Sequence, residues 1–319
     1  MPKGRERESS REAVVPVVVS DWEHGREAVR QGMLVLGDRS RSAVDAVERG
    51  IMAVEDDPLV DSVGTGGIPN AEGVGELDAS MMIGNTYRCG GVSCLTETKN
   101  PIAVARKVME LSPHNMLCGE GARKFARALG FPPYEPVTPE AKRRWGVLMQ
   151  KAGGEESKGA GEKWAQAILM LSRSGQLGAH GTVGVLALDA SGLIVAGTST
   201  SGPPLRLPGR VSDSSVIGAG TYATPAGASS ATGEGEYAIK YNLTRRVCDL
   251  MGEGHSPTEA CERALKEMLK IERKSPFMAL IALNSAGTPG GATTGGSFSY
   301  YYERGSERVV RVTPAPLSA

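Results

Sequence analysis

The sequence predicts an α+β fold whose sheets are mainly antiparallel, and three observations lead to that class. Apolar residues at 183–188 and 193–197 flank a turn at Ala190-Ser191-Gly192, which is a typical hairpin signal. Predicted strands and helices come in blocks, without a repeated strand–helix–strand unit. The 319 residues, 40% of them hydrophobic, can bury the core of one large unit or of two modest domains.

The first half of the chain contains most of the predicted helices. A strand is expected at Val14–Val19, and apolar residues at helical spacing predict a helix at Ser42–Val54. The glycine-rich stretch 62–91 predicts short strands and tight turns. Further helices are expected at 101–111, 119–129 and 140–150.

A low-complexity stretch, KAGGEESKGAGEK at 151–163, divides the chain and predicts a flexible linker. A short amphipathic helix is expected at Trp164–Leu171, and a loop rich in Gly, Pro and Ser at 201–220. The last part predicts helices at 234–251 and 257–271, and strands at 277–283 and 297–302 joined by a turn at Asn284–Gly287.

Charge and composition narrow the classes of partner. Lys plus Arg and Asp plus Glu number 36 each, and this zero net charge argues against a nucleic-acid binder. The sequence contains no apolar run long enough for a membrane span, and its start lacks the pattern of a signal peptide. Its five cysteines are an odd number without framework spacing. We therefore expect a cytoplasmic protein that does not bind membranes.

Several common catalytic motifs are missing from the sequence. It has no phosphate loop, no HExxH and no GxSxG, and the four histidines are scattered. Residues 218–223 match the residue spacing of a dinucleotide-binding fingerprint. That fingerprint must open a helix, however, and Pro225 follows almost at once, where it would interrupt the helix. We therefore expect neither a metal nor a cofactor.

Thr182 lies between Gly181 and the first strand of the predicted hairpin. As an ordinary strand-edge residue it would need no further explanation, because threonine is common in strands. The alternative is chemical. A threonine hydroxyl becomes a good nucleophile when a base takes its proton, and a free α-amine on the same residue can be that base. Cleavage of the Gly181–Thr182 bond would supply this amine.

Several separate motifs resemble the asparaginase family of N-terminal-nucleophile hydrolases, which contains the glycosylasparaginases and the plant-type asparaginase/isoaspartyl peptidases. They are HGTVGVLALDASGLIVAGTSTSG, LPGRVSDSSVIGAGTYA and SATGEGE, and DSVGTGGIPNAEGVGELDASMM is similar to the glycosylasparaginase branch. The resemblance covers roughly 15–130 and 175–302. It implies a four-layer αββα sandwich and self-cleavage before Thr182. The resulting subunits, 1–181 and 182–319, would form one folded domain, and processed protomers would form a homodimer.

Three polar residues can be carried over from the resemblance. Thr200, in GTSTSG, matches the family's second active-site threonine, which hydrogen-bonds the nucleophile. Arg210 and Asp213, in GRVSD, match the residues that hold the α-carboxylate and α-amine of the substrate. An amino acid zwitterion does need one cation and one anion close together. From the residues alone, Thr200 could instead be a strand-end hydroxyl, and Arg210 and Asp213 a surface ion pair.

Three more residues complete the expected site. Thr232 and Gly233, in ATGEGE, match the oxyanion hole. We expect Thr232 to be a helix N-cap and Gly233 to lie in the first turn, where free N–H groups stabilise negative charge. The alternative is that these two residues only cap a helix and have no catalytic role. Trp22, in SDWEHG, matches a tryptophan of the glycosylasparaginase substrate pocket, although a tryptophan after a strand is also often core.

Two departures from the family pattern bear on the substrate. Gly181 is typical of the asparaginase/isoaspartyl peptidase branch, whereas glycosylasparaginases usually have Asp there. The HGG start of the asparaginase branch is also absent. The resemblance implies an amidohydrolase for an asparagine derivative, with N4-(β-N-acetylglucosaminyl)-asparagine first and asparagine or β-aspartyl dipeptides second. An uncleaved, inactive binding protein on the same fold is the alternative from another class.

Overall fold

The computed structural model describes residues 14–151 and 181–317. The linker predicted at 151–163, apart from Lys151, and the helix predicted at Trp164–Leu171 lie outside these ranges. The described helices are α1 (Gly25–Leu36), α2 (Ala43–Glu55), α3 (Pro101–Leu111), α4 (Gly119–Ala128), α5 (Pro139–Lys151), α6 (Gly235–Tyr241), α7 (Leu243–Gly252) and α8 (Pro257–Leu269). A short 3₁₀ turn covers Asp213–Ser215.

Two sheets contain the described strands. The strands are β1 (Val17–Asp21), β2 (Leu77–Ile83), β3 (Cys89–Leu95), β4 (Met116–Cys118), β5 (Val183–Leu188), β6 (Ile194–Thr200), β7 (Thr221–Thr224), β8 (Gly227–Gly233), β9 (Met278–Asn284), β10 (Pro289–Thr293), β11 (Tyr300–Arg304) and β12 (Val310–Val312). The large sheet has the order β12-β11-β1-β5-β6-β2-β3-β4, and the small one β10-β9-β8-β7. Among these strands only β3 and β4 pair in parallel. The predicted α+β class is thus confirmed.

Alternating side chains on the central strands separate the core into distinct clusters. On β1, Val18 belongs to a cluster with α1, α2 and α3, whereas Val17 and Val19 belong to a cluster shared with the small sheet. Successive strand residues point to opposite faces, so the three consecutive valines of β1, together with the burial of all five of its residues, indicate a strand covered on both sides. A further cluster joins the small sheet to α7 and α8.

Most predicted helices and the central hairpin are confirmed to within a few residues. The hairpin pairs β5 with β6, from Val183 opposite Ser199 to Leu188 opposite Ile194. The first strand is displaced, since it begins at Val17 and continues to Asp21. The single helix predicted at 234–251 is wrong. Asn242 has a left-handed backbone with φ of 47°, which ends α6, and α7 begins at the next residue, Leu243.

The strand prediction near the C-terminus was partly wrong. The turn at Asn284–Gly287 joins β9 to β10, a strand that the sequence analysis did not predict. The strand predicted at 297–302 corresponds to β11, which lies in the other sheet beside β1. The hairpin of β7 and β8 was also missed, because its glycine, alanine and serine residues lack the usual apolar alternation.

A buried ion pair fastens the loop after β6 to the large sheet. Arg206 is 2% exposed, and its Nη1 donates to Oδ2 of the fully buried Asp78 at 2.7 Å. Arg206 also donates to the main-chain carbonyl of Glu76. Asp78 accepts from the amides of Cys94 at 2.6 Å and Ser212 at 3.3 Å. The loop is therefore held at Arg206 and at Ser212.

We predict that Arg206→Met lowers the free energy of unfolding by about 3–5 kcal/mol, because it leaves the Asp78 carboxylate buried without its cation. Urea denaturation measures the change. Arg143→Met is the control, since it breaks a pair with Glu140 in which both side chains are more than half exposed. Exposed ion pairs contribute little to stability, so the free energy of unfolding should hardly change in the control. Equal effects of the two substitutions would contradict the prediction.

Candidate active site

The antiparallel order of the central strands brings several predicted residues to one end of the large sheet. Because β1 and β6 both run antiparallel to β5, Trp22 after β1, Thr182 before β5 and Thr200 at the end of β6 meet at the same edge. Asp78, near the start of β2, lies opposite Thr200 in the ladder. Residues from distant parts of the sequence thus surround the start of β5.

A cavity opens at this edge between the two sheets. It is lined by Thr182, Thr200, Gly202, Pro203, Arg210, Ser212, Asp213 and Gly233. Five of the eight residues selected from the sequence therefore line one cavity. The other three adjoin it, since Gly181 precedes Thr182, Thr232 precedes Gly233, and Trp22 is hydrogen-bonded to Thr232.

The Gly181–Thr182 segment is closely surrounded. Thr182 is only 6% exposed. A methyl group added at Gly181 would lie 3.0 Å from Ser62 Oγ and 3.3 Å from the His24 ring. These distances are tighter than ordinary van der Waals contact, so glycine fits here where a side chain would have to displace its neighbours.

His24 contacts the same segment and was not selected from the sequence. Its Nε2 lies 3.3 Å from the Thr182 carbonyl oxygen and donates to it in the tautomer that carries the proton on Nε2. Burial lowers the pKa of His24 to about 4, against the opposing effects of this hydrogen bond and of Asp57, Asp61 and Glu23. The imidazole is therefore a neutral hydrogen-bond donor at neutral pH.

Thr200 is held by the loop that contains Ser62. Its hydroxyl donates to the Ser62 carbonyl at 3.2 Å and accepts from the Gly202 amide at 3.0 Å. The Ser201 amide donates to the same carbonyl at 2.8 Å. In the uncleaved chain the Thr200 hydroxyl thus bonds to these groups, whereas the resemblance implied a bond to Thr182.

The expected helix cap at Thr232 and Gly233 is wrong. Both residues end β8, and α6 begins only at Gly235. Gly233 has a left-handed φ of 124°, and a Cβ at this position would lie 2.3 Å from the Phe277 carbonyl oxygen. Only glycine permits this turn against β9. The two residues face the cavity from a strand end, where the chain bends towards the helix.

Trp22 connects the two sheets at the cavity. Its indole Nε1 donates to Thr232 Oγ1 at 2.9 Å. The ring packs edge-on against Phe298 with centroids 5.4 Å apart, and at a tilt against Phe277 at 5.9 Å. Because an indole is only a donor, Thr232 must accept in this bond, and its own proton remains available for another acceptor.

Arg210 and Asp213 lie side by side in the cavity. A Cβ at Gly235 would be 2.3 Å from Asp213 Oδ1 and 3.1 Å from Arg210 Nη2, so both groups reach the start of α6. Arg210 donates from Nε and Nη2 to Glu236 Oε1 at 3.0 and 2.8 Å. Burial raises the pKa of Asp213 to about 7, partly offset by Arg210. Asp213 Oδ2 has no hydrogen-bond partner among the described residues.

Sequence reasoning missed His24, Ser62 and Glu236. A lone histidine two residues after Trp22 gave no recognisable spacing, and a main-chain carbonyl such as that of Ser62 leaves no signature in a sequence. Glu236 stood within the quoted ATGEGE motif without a role.

Within residues 14–151 and 181–317, no group of three or more His, Cys, Asp or Glu side chains is placed to hold a metal ion. None of the described helices is both long enough and apolar enough to span a membrane.

We predict that the His24 ring titrates near pH 4 in NMR, well below its ordinary value of about 6.5. Because the unfolded chain then binds the proton more readily, His24 should reduce stability as the pH falls from about 6.5 towards 4. In His24→Phe the urea midpoint should depend less steeply on pH over that window.

The control is His114→Phe, which replaces an exposed histidine by the same residue. Identical pH profiles of the midpoint in His24→Phe, His114→Phe and the unsubstituted protein would contradict the prediction.

Comparison with known proteins shows the family of the chain. The asparaginase family model matches residues 7–310. A plant-type L-asparaginase of Pyrococcus abyssi is 40% identical over 277 residues, 87% of this chain and 88% of its own. An N(4)-(beta-N-acetylglucosaminyl)-L-asparaginase of Elizabethkingia miricola is 38% identical over 282 residues, 86% of this chain and 77% of its own. An isoaspartyl peptidase of Escherichia coli is 38% identical over 243 residues, 75% and 71% of the two chains. The chain belongs to the asparaginase family of amide hydrolases.

Proposed function

We propose that the protein cleaves itself between Gly181 and Thr182, and that Thr182 then hydrolyses the side-chain amide of an asparagine derivative. The lining of one cavity is the main support for this proposal. Thr182, at the start of β5, shares a cavity with a cation, a buried carboxyl and the glycine of a strand end, namely Arg210, Asp213 and Gly233. A buried hydroxyl beside a matched pair of charges suits attack on an amino acid substrate.

The substrate's α-carboxylate would bind Arg210, and its α-ammonium would bind Asp213. A guanidinium can grip a carboxylate through two parallel hydrogen bonds. Asp213 is 5% exposed and has an unpaired carboxyl oxygen among the described residues, which suits an ammonium group brought by the substrate. Ionisation of Asp213 would be favoured once that cation arrives.

The reaction would proceed in two steps. The Thr182 hydroxyl attacks the amide carbon while the Thr182 α-amine takes the hydroxyl proton, and this proton then passes to the leaving nitrogen as the C–N bond breaks. A β-aspartyl ester on Thr182 remains. Water, activated by the same amine, attacks the ester carbon, and aspartate leaves as the Thr182 oxygen regains its proton.

Thr232 and Gly233 would stabilise the oxyanion of both steps. Trp22 supports this role of Thr232, because its indole N–H occupies an acceptor position of the hydroxyl and leaves the hydroxyl proton to be donated. Thr200, held by Ser62 and Gly202, would orient the nucleophile after cleavage frees the Thr182 amine.

The remaining proposals concern the assembly. We place the two sheets and their helices in the αββα sandwich of N-terminal-nucleophile hydrolases, supported by the separate hydrophobic clusters on the outer face of each sheet and between the sheets. The cleaved subunits 1–181 and 182–319 would stay together as one domain, and the processed protomers would pair as a cytoplasmic homodimer.

Among substrates of this class, we propose N4-(β-N-acetylglucosaminyl)-asparagine first. Trp22 supports this order, because its ring lies 3.9 Å from where a Cβ of Gly181 would be. Gly181 is one of the two residues joined by the bond that is cut, so the ring lies close to that bond. Aromatic faces suit the apolar side of a sugar. L-Asparagine and β-aspartyl dipeptides are the alternatives, since relatives named for each activity match at similar identity.

Self-cleavage is tested on a denaturing gel. We predict fragments of 181 and 138 residues, which together make the 319 of the chain, with Thr at the second N-terminus by Edman sequencing. In self-cleavage the Thr182 hydroxyl would attack the Gly181 carbonyl, the C–N bond would break to leave an ester and a free amine, and water would hydrolyse the ester. Thr182→Ala should remain whole and inactive, because it lacks this attacking hydroxyl. Full hydrolytic activity from a chain that stays intact would rule out the mechanism. An intact chain without activity would favour a binding protein on the same fold.

Assays with glycosylated asparagine, L-asparagine and β-aspartyl-leucine test the substrate order. We predict the highest kcat/KM for the glycosylated substrate. A preference of the unsubstituted enzyme for the dipeptide would reverse the order of substrates.

Trp22→Phe keeps an aromatic ring but loses the N–H bond to Thr232, so it should lower kcat about tenfold for all three substrates. An unchanged kcat in Trp22→Phe would contradict the role of the indole.

A further inference from the structure

Glu236 binds the guanidinium of Arg210 along one edge. Arg210 Nε and Nη2 both donate to the same oxygen, Glu236 Oε1, at 3.0 and 2.8 Å. The Arg210 side chain is 17% exposed and lines the cavity, whereas that of Glu236 is 49% exposed and lies at the start of α6. Glu236 therefore holds the arginine from the solvent side.

The guanidinium of Arg210 has a second edge that can bind a carboxylate while Glu236 occupies the first. A guanidinium has five N–H donors in a fixed plane, and Glu236 takes only two of them. The edge formed by Nη1 and Nη2 still offers the pair of parallel donors that a carboxylate accepts. A carboxylate on the Nε edge thus fixes the plane without blocking bidentate binding at the other edge.

Glu236 also sets the charge balance around Asp213. Among the described residues, the charged groups that act most strongly on Asp213 are Arg210 from its own loop, Glu236 from α6 and Asp78 from β2. Arg210 favours the ionised form of the Asp213 carboxyl, and Glu236 and Asp78 disfavour it. Gly235 allows this close approach, because any Cβ there would strike Asp213 Oδ1 at 2.3 Å.

We infer that Glu236 is a positioning residue for substrate, which orients Arg210 for the α-carboxylate and tunes Asp213 for the α-ammonium. The inference rests on the proposed function, because it takes the roles of Arg210 and Asp213 from there. Glu236 would act on the substrate through these two neighbours. It consequently determines both how tightly an amino acid zwitterion binds and the pH at which binding begins.

Binding of L-aspartate, the proposed product, tests the inference by calorimetry from below to above pH 7. In the unsubstituted protein, affinity should rise with pH as Asp213 ionises near 7. Glu236→Gln keeps an oxygen acceptor for Arg210 but removes the negative charge. It should therefore move the rise to lower pH by roughly half a unit to one unit, while affinity above pH 7 stays within about threefold.

Glu236→Ala removes the acceptor as well as the charge. It should show the same displacement in pH and, in addition, bind L-aspartate about tenfold more weakly above pH 7, because Arg210 is no longer oriented. The matched control is Glu267→Gln. Glu267 accepts from Nε and Nη2 of Arg246 at 2.8 Å each and is 47% exposed. The substitution Glu267→Gln should leave binding of L-aspartate unchanged.

Two results would overturn the inference. One is a pH dependence of binding that is the same in both Glu236 variants as in the unsubstituted protein, and the other is Glu236→Ala binding with full affinity above pH 7. Calorimetry needs no turnover, so the proposed function is tested separately. If the protein hydrolyses no amide but binds L-aspartate with these shifts, the proposed function fails and the inference holds. Failure to bind L-aspartate at all contradicts both.

Discussion

The charges of Arg206 and Asp78 lie buried beneath the cavity, and the loop that carries the proposed substrate-binding residues depends on them. Taking two ions out of water costs several kcal/mol each, and only close pairing with further hydrogen bonds offsets that cost. Arg206 and Asp78 have both, since the pair is 2.7 Å apart and the amide of Ser212 also donates to Asp78. This arrangement fixes the loop between Thr200 and Asp213, and so the distance from the start of β5 to the charged side of the cavity.

The opposite side of the cavity depends on a contact between the two sheets. Trp22 follows the large sheet's β1 and donates to Thr232 at the end of the small sheet's β8. The hydrogen bond aligns a strand end of one sheet with a strand end of the other. Because Gly233 turns sharply there, the chain passes directly into α6, which brings Glu236 to Arg210. A single change of direction thus connects the proposed oxyanion site to the proposed carboxylate site.

Sequence reasoning was most successful where a local pattern determines the structure. The hairpin of β5 and β6 followed from apolar runs and a turn, and α3 from Pro101 at its first position. The resemblance then selected residues that the fold brings together, among them Thr182 and Arg210. Local pattern failed at β7 and β8, where small residues pack between sheets and only tertiary context favours a strand.

The missed residues act through geometry that a sequence does not contain. His24 matters because α1 begins where the Thr182 carbonyl lies, 158 residues further along the chain. The role of Glu236 depends on which edge of a guanidinium it meets. Thr232 was placed at a helix start because its motif resembles a cap, but pairing of β8 with β9 extends the strand through Gly233. Long-range pairing decided each of these cases.

The proposed mechanism requires Thr182 to form a covalent ester during turnover. Acid-quenched mass spectrometry of the cleaved protein, taken within the first turnovers of L-asparagine or glycosylated asparagine, measures this directly. We predict a β-aspartyl adduct on the fragment that begins at Thr182, located by peptide mapping to Thr182 itself and lost when the substrate is exhausted. An adduct on any other residue, or hydrolysis by a chain whose Gly181–Thr182 bond is intact, would contradict it.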